Sequence, residues 1–155
     1  MTPAIDLLIK QKIPHQLHEY QHDPACQAYG LEAAQKIGVP VERVFKTLVV
    51  KLDAKQLAVA IIPVAEKLSM KAVAKAAKAK KAVMAEATDV QRSSGYVLGG
   101  VSPIAQKRLL PSFIDDSSST LETIYISGGR RGLDIALSPT DLKQLIRASY
   151  APLTA

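Results

Sequence analysis

Lys46 opens the most apolar stretch of the chain, Phe45-Lys46-Thr47-Leu48-Val49-Val50, where a charge is costly unless something uses it. An ionised side chain pushed toward a core must find a partner, shift its pKa or reach water. Lys46 therefore reads in two ways: its long stem carries the ammonium to the sheet edge, or the ammonium receives an anion. Other groups tempt a chemical reading. His15, His18 and His22 precede Cys26 by short intervals. That segment reads as extended, however, so His15 and His18 project to opposite faces, and no second Cys/His cluster completes a tetrahedral metal set. Neither metal nor cofactor is expected. Cys26 follows Asp23-Pro24-Ala25 with nothing to lower its pKa. No Gly-x-Ser-x-Gly elbow occurs among the serines. The chain shows no conventional pairing of nucleophile and base.

Gly99-Gly100 and Gly128-Gly129 each follow a β-like run. Either the backbone turns there with positive φ, as in an ordinary hairpin, or a ligand approaches the amides without meeting a side chain. Neither pair belongs to a dinucleotide fingerprint or a P-loop. Lys67, Lys71, Lys75 and Lys78 recur at spacings of 4, 4 and 3, with Lys80 and Lys81 beyond, opposite Met70, Val73, Ala74 and Ala77. On a helix this is a lysine stripe. It reads as a solvated face or as a rail for phosphates that adds affinity without reading sequence.

These residues need elements to position them. Thr2-Pro3 suits a helix start, with Leu7, Leu8 and Ile9 in a short helix that stops before Pro14. An extended segment is predicted from about His15 to Tyr20, and a helix from Leu31 to Ile37 ended by Gly38. Two valine- and isoleucine-rich runs, Phe45 to Leu52 and Leu57 to Ile62, flank Asp53-Ala54-Lys55 and predict a core hairpin. Ser69 is placed to cap the lysine-striped helix and Thr88 a short segment before the glycines. Strands are predicted at Phe113 to Asp115, Thr123 to Ser127 and Leu133 to Leu137. Ser138-Pro139, with Asp141 in the first turn, predicts a last helix. Without a regular βαβ period, the 155 residues read as one α+β domain on a largely antiparallel or mixed sheet.

Composition bounds the partners. Twenty basic against fourteen acidic residues give +6, which fits a polyanion. Lysine or proline breaks every hydrophobic run well short of the roughly 18 apolar residues of a membrane span. Cys26 stands alone, so no intramolecular disulfide forms. The start, Met1-Thr2-Pro3 followed by Asp6, lacks a signal-peptide pattern. The expected location is the cytoplasm.

Taken together, Met1-Thr2-Pro3-Ala4, His22-Asp23-Pro24, Phe45-Lys46-Thr47-Leu48, Gln91-Arg92-Ser93-Ser94-Gly95-Tyr96, Gly99-Gly100-Val101-Ser102-Pro103 and Tyr125-Ile126-Ser127-Gly128-Gly129-Arg130-Arg131-Gly132-Leu133 resemble the YbaK branch of the YbaK/EbsC family. The likeness runs in order from the first residue to the last helix. It implies a free-standing editing enzyme that hydrolyses cysteinyl-tRNA carrying the proline anticodon, beside prolyl-tRNA synthetase and in transient contact with it. It also implies a curved, mixed, barrel-like sheet with a pocket for the terminal adenosine of the acceptor stem and its aminoacyl group. By the same resemblance the family lysine falls on Lys46, its neighbouring hydroxyl on Thr47 and the pocket tyrosine on Tyr20. The glycine loop falls on Gly99 and Gly100, the serine-glycine loop on Ser127, Gly128 and Gly129, and an acidic position on Asp134. Leu31, Ala105 and Cys26 depart from the family pattern.

The resemblance further implies that the substrate's own thiol attacks its ester carbonyl, leaving position and electrostatics to the protein. Lys46 is then an anchor for the phosphate or ribose end, not a base. Two other classes compete: an editor of alanyl- or seryl-tRNA, and a non-catalytic binder using the lysine stripe. The latter would lack a pocket centred on Lys46 and would bind uncharged RNA equally well.

Overall fold

The computed structural model describes residues 1–155. Its centre is the predicted hairpin. Strand β2 (Phe45–Leu52) pairs antiparallel with β3 (Gln56–Pro63) in unbroken register from Phe45↔Pro63 to Leu52↔Gln56. Asp53 and Ala54 both take positive φ, 50° and 59°, at the centre of a tight turn that Lys55 N closes by donating to Leu52 O at 2.9 Å. The Asp53 carboxylate accepts from the Lys80 and Lys81 amides, fixing the turn.

Around this hairpin stand β1 (Gln16–Glu19), β4 (Ala82–Met84), β5 (Ser112–Asp115), β6 (Ile124–Arg130), β7 (Leu133–Leu137) and β8 (Ser149–Ala151). They form a five-stranded sheet, β4-β2-β3-β5-β8, and a three-stranded one, β1-β7-β6. The first is mixed, because β5 runs parallel to both β3 and β8. The barrel-like closure that the resemblance implies does not occur. Only the bridge Val44↔Tyr125 links the sheets, and the outer strands β4 and β8 offer edges of just three residues each.

Alternation along the strands divides the apolar residues. Phe45, Val49, Val59 and Ile61 meet Ile126, Leu133, Ile135 and Leu137 between the sheets, with Ile5 and Leu8 of α1 (Pro3–Lys10) and Leu142 of α5 (Pro139–Leu145). The opposite set, Val50, Leu52, Ala58, Ala60 and Ile62, packs under Val73 and Ala74 of α3 (Met70–Ala76). A smaller cluster seats Ala33 and Ala34 of α2 (Tyr29–Ile37) on Val44 and Val64. Here Gly30 is indispensable, since a Cβ would lie 2.2 Å from Val64 Cγ1. No helix is long and apolar enough to cross a membrane.

Two local expectations are corrected. Helix α4 (Ala87–Ser94) starts after Glu86, so Thr88 lies inside it and caps nothing. The Ala85 amide is already tied to Val49 O at 3.0 Å, and the chain turns into the helix directly after that bond. The lysine stripe is not continuous either. Only Lys71 and Lys75 lie on α3; Lys67 precedes its Ser69 cap, and Lys78 follows the helix with φ 58°. All four remain exposed.

Candidate active site

A cavity of about 470 Å³ opens between α2, the edge of β2, the start of α4 and the outer face of the three-stranded sheet. Its walls are mostly apolar, including Val44, Phe45, Leu48, Val64, Val90 and Val101, with a few convergent polar groups. That is the usual character of a small-molecule site. The mouth carries large apolar side chains left in water, among them Leu31, Met84 and Leu98.

Pairing across three strands sets the polar groups. Asp134 of β7 lies opposite Ser127 of β6 and His18 of β1, so all three project from one face. Asp134 is 6% exposed, and burial lifts its carboxyl to about 7. Tyr20, just past β1, is pushed up to about 12 by burial and by the Asp134 and Glu32 carboxyls, so its hydroxyl remains a donor at neutral pH. Half-buried Lys46 enters from β2. Burial lowers its pKa, with partial opposition from Glu66, and the ammonium forms no ion pair. Arg130, the other cation on the wall, pairs with Glu19 at 3.5 Å. Lys46 is thus the cation left for an incoming anion.

Of the residues singled out in the sequence, Tyr20, Lys46, Thr47, Gly99, Ser127 and Asp134 line this cavity. Gly100, Gly128 and Gly129 do not; they stand behind its wall. The Gly100 amide already donates to Val97 O, and a Cβ there would lie 2.8 Å from Arg130 Cα. Gly128 and Gly129 form a bulge in β6. Gly128 O accepts from the Thr2 hydroxyl, and Gly129 N donates to Ser127 Oγ at 3.2 Å, so this pair braces α1 instead of making a hairpin turn.

Sequence reasoning did not identify the contact of Arg131 with Tyr29. Tyr29 lines the cavity, and Arg131 lies 4.6 Å above its ring while donating to Leu98 O. This contact clamps the Gly99 loop to α2, and Gly99, at φ 86°, leaves room for the guanidinium. The Tyr29-Gly30 pair was the available signal. Below it, Glu32 is buried and accepts from His22 Nδ1 at 2.6 Å and the Asp23 amide at 2.9 Å. Burial pushes this carboxyl up, but the bonds from His22, Asp23 and Lys36 outweigh burial and hold it below its ordinary range. His15 turns instead to Ile13 O, and His18 stacks edge-on against Tyr125. No three His, Cys, Asp or Glu side chains gather as a metal set.

No hydroxyl in the cavity is bonded to a base: Ser127 Oγ meets only the Gly129 amide, and Thr47 Oγ1 is buried without a partner. Cys26 lies outside the wall. The arrangement can bind an anion at Lys46 and donate from Tyr20, but it does not activate a protein nucleophile.

Asp134 yields a stability prediction. Its folded-state pKa is raised, so the fold holds the proton more tightly than the unfolded chain does. The associated stability is full below the unfolded value near 3.8, declines as pH rises to about 7 and is absent above. Asp134→Asn should therefore stabilise the fold at pH 8 by about 2–4 kcal/mol, from ~1.4 kcal/mol per pKa unit. The gain should vanish near pH 3.5. Urea unfolding at both pH values checks this, and no gain at pH 8 would contradict it.

The profile of the aminoacyl-tRNA editing domain family matches residues 24–145. A relative from Enterococcus faecalis, named "Putative Cys-tRNA(Pro)/Cys-tRNA(Cys) deacylase EbsC", is 31% identical over 99% of this chain and 93% of its own length. Among solved structures, the hypothetical protein APE2540 superposes with a TM-score of 0.88 at 23% identity, covering 99% of this chain and all of that one. A "putative trans-editing enzyme for prolyl tRNA synthetase" superposes with a TM-score of 0.84 at 20% identity, covering 100% and 98%. The two superpositions establish a shared fold.

Proposed function

The chain belongs to the aminoacyl-tRNA editing domain family, and from that premise we propose that residues 1–155 act as one free-standing deacylase that removes cysteine from mischarged tRNA(Pro), and from tRNA(Cys) as well. The observation that carries this reading is a cavity holding an unpaired lysine but no activated nucleophile. Such a site can borrow its nucleophile, and cysteine brings one. Its sulfur attacks the ester carbonyl carbon, the C–S bond forms as the C–O bond to the ribose breaks, and the thiol proton ends on the ribose hydroxyl. Water later opens the released cyclic thioester. The protein contributes proximity and a preorganised field.

Within this mechanism Lys46 anchors the phosphate or ribose end of the terminal adenosine. Tyr20, neutral at physiological pH, donates to the substrate. The Gly99 amide is the glycine-loop donor for the developing oxyanion, since that of Gly100 is engaged by Val97. Ser127 and Asp134 shape the polar end. The partners are the acceptor stem and, transiently, prolyl-tRNA synthetase in the cytoplasm.

A panel of aminoacyl-tRNAs tests the assignment. Cys-tRNA(Pro) should be deacylated fastest, with alanyl- and seryl-tRNA(Pro) slower by about 10²-fold or more, the range that a single missing group commands in a tuned site. Preference for alanyl or seryl ester would replace the substrate. Binding of uncharged tRNA without turnover of any ester would replace the enzyme by a binding module.

Exposed Lys71 and Lys75 lie one turn apart on α3, and exposed Lys78 follows just beyond its end. Neutralising all three should raise the Michaelis constant and flatten its salt dependence by up to about 0.9 in slope for each tRNA phosphate that the lysines neutralise. An unchanged slope would leave them a solvated surface.

A further inference from the structure

Thr47 occupies a gap in the hydrogen-bonded edge of β2. Val64 N donates to Val44 O, which fixes the parity of the β2–β3 ladder: Val44, Lys46, Leu48 and Val50 turn their N–H and C=O groups toward β3. Phe45, Thr47 and Val49 turn theirs the other way, as shown by Ala85 N donating to Val49 O. That outer edge is covered at its start by the Val44↔Tyr125 bridge and, from Val49 onward, by Ala85 and β4. No strand pairs with Thr47 between them. The chain leaves the edge at Ala85 and enters α4, so the gap opens into the cavity that Thr47 lines.

The Thr47 hydroxyl does not serve this opening, because Oγ1 is shut off from solvent and has no partner. The polar atoms left to meet a ligand are its main-chain N–H and C=O. A strand residue offers these in one direction, and its natural complement is another piece of amino-acid main chain. Main-chain groups that no neighbouring strand satisfies call for such a complement.

We propose that the main chain of Thr47 recognises the aminoacyl group itself, its C=O accepting from the substrate's α-ammonium and its N–H donating to the ester carbonyl. This rests on the aminoacyl-tRNA reading above and adds the group within the substrate that is recognised. Recognition is then independent of the amino acid's side chain. It requires a free α-amino group, so it rejects an N-acylated, peptidyl ester.

Amide hydrogen exchange on the whole chain tests this directly, with 3′-cysteinylamido-3′-deoxyadenosine as a non-hydrolysable probe. In the free protein the Thr47 amide should exchange at least about tenfold faster than the ladder-bonded amides of Lys46 and Leu48. Saturating probe should slow Thr47 by about tenfold or more while leaving those neighbours unchanged, and the 3-mercaptopropionyl analogue, without the amino group, should bind about tenfold more weakly, the worth of one charge-assisted hydrogen bond. Equally slow exchange of all three amides in the free protein would overturn the proposal. So would probe binding, seen as shifts at Tyr20 and Asp134, that leaves Thr47 exchange unaltered, or equal affinity for the two analogues. Absence of any shift in the cavity would instead overturn the aminoacyl reading, and this proposal with it.

Discussion

Lys46→Ala should lower kcat/KM for Cys-tRNA(Pro) by about 10²-fold or more, the usual loss when a preorganised electrostatic partner leaves a water-poor site, while the melting temperature holds or rises. Both parts follow from the same geometry. The ammonium is half-buried, its pKa is lowered by burial, and no ion pair compensates it, so it adds little to the fold and is available to a bound anion. Lys46→Arg should also lose much of the activity, because a planar guanidinium is bulkier and cannot place the same point charge among Val44, Leu48 and Val64. Single-turnover deacylation and thermal unfolding of both variants check this. Wild-type rates from Lys46→Ala would remove the residue from the mechanism, and unfolding of the variant would show its role to be structural.

Much of the positioning framework was legible because it depends on local pattern. Two valine- and isoleucine-rich runs around Asp53-Ala54 could pair in only one compact way, which put Lys46 and Thr47 on a central strand. Gly38 ends α2 in the left-handed conformation, and Ser138 caps α5, as their residue types dictate. What stayed hidden depends on contacts remote in sequence. The raised pKa of Asp134 comes from burial that no neighbouring residue announces. Glycine pairs look alike in sequence, yet Gly99 lines the cavity while Gly128 and Gly129 form a bulge that braces Thr2. The Arg131 clamp over Tyr29 joins positions far apart in the chain. The break in the lysine stripe reflects where Ala77 ends α3, and the spacing of the lysines does not encode that point. Ala105 takes φ 59°, a left-handed conformation that costs a residue other than glycine some strain.

Borrowing the nucleophile has a consequence of comparable size to the loss of Lys46. A thiol is a few per cent ionised near neutral pH and strongly nucleophilic even so, whereas a serine hydroxyl or a thioether offers no comparable group. Intramolecular attack on an ester held in register gains an effective concentration on the order of 10⁵ M or more, so its loss leaves only attack by unactivated water. Cys26 lies outside the cavity and should contribute nothing. The decisive measurement is the single-turnover rate of the Cys26→Ser protein, which has no thiol of its own, on Cys-tRNA(Pro) and on its S-methylcysteinyl counterpart. The thiol-borrowing mechanism predicts wild-type turnover of the first and a rate lower by about 10²-fold or more for the second, in line with loss of the attacking group. Comparable rates on both would contradict it and point to a water activated within the cavity, with Asp134 as the candidate base.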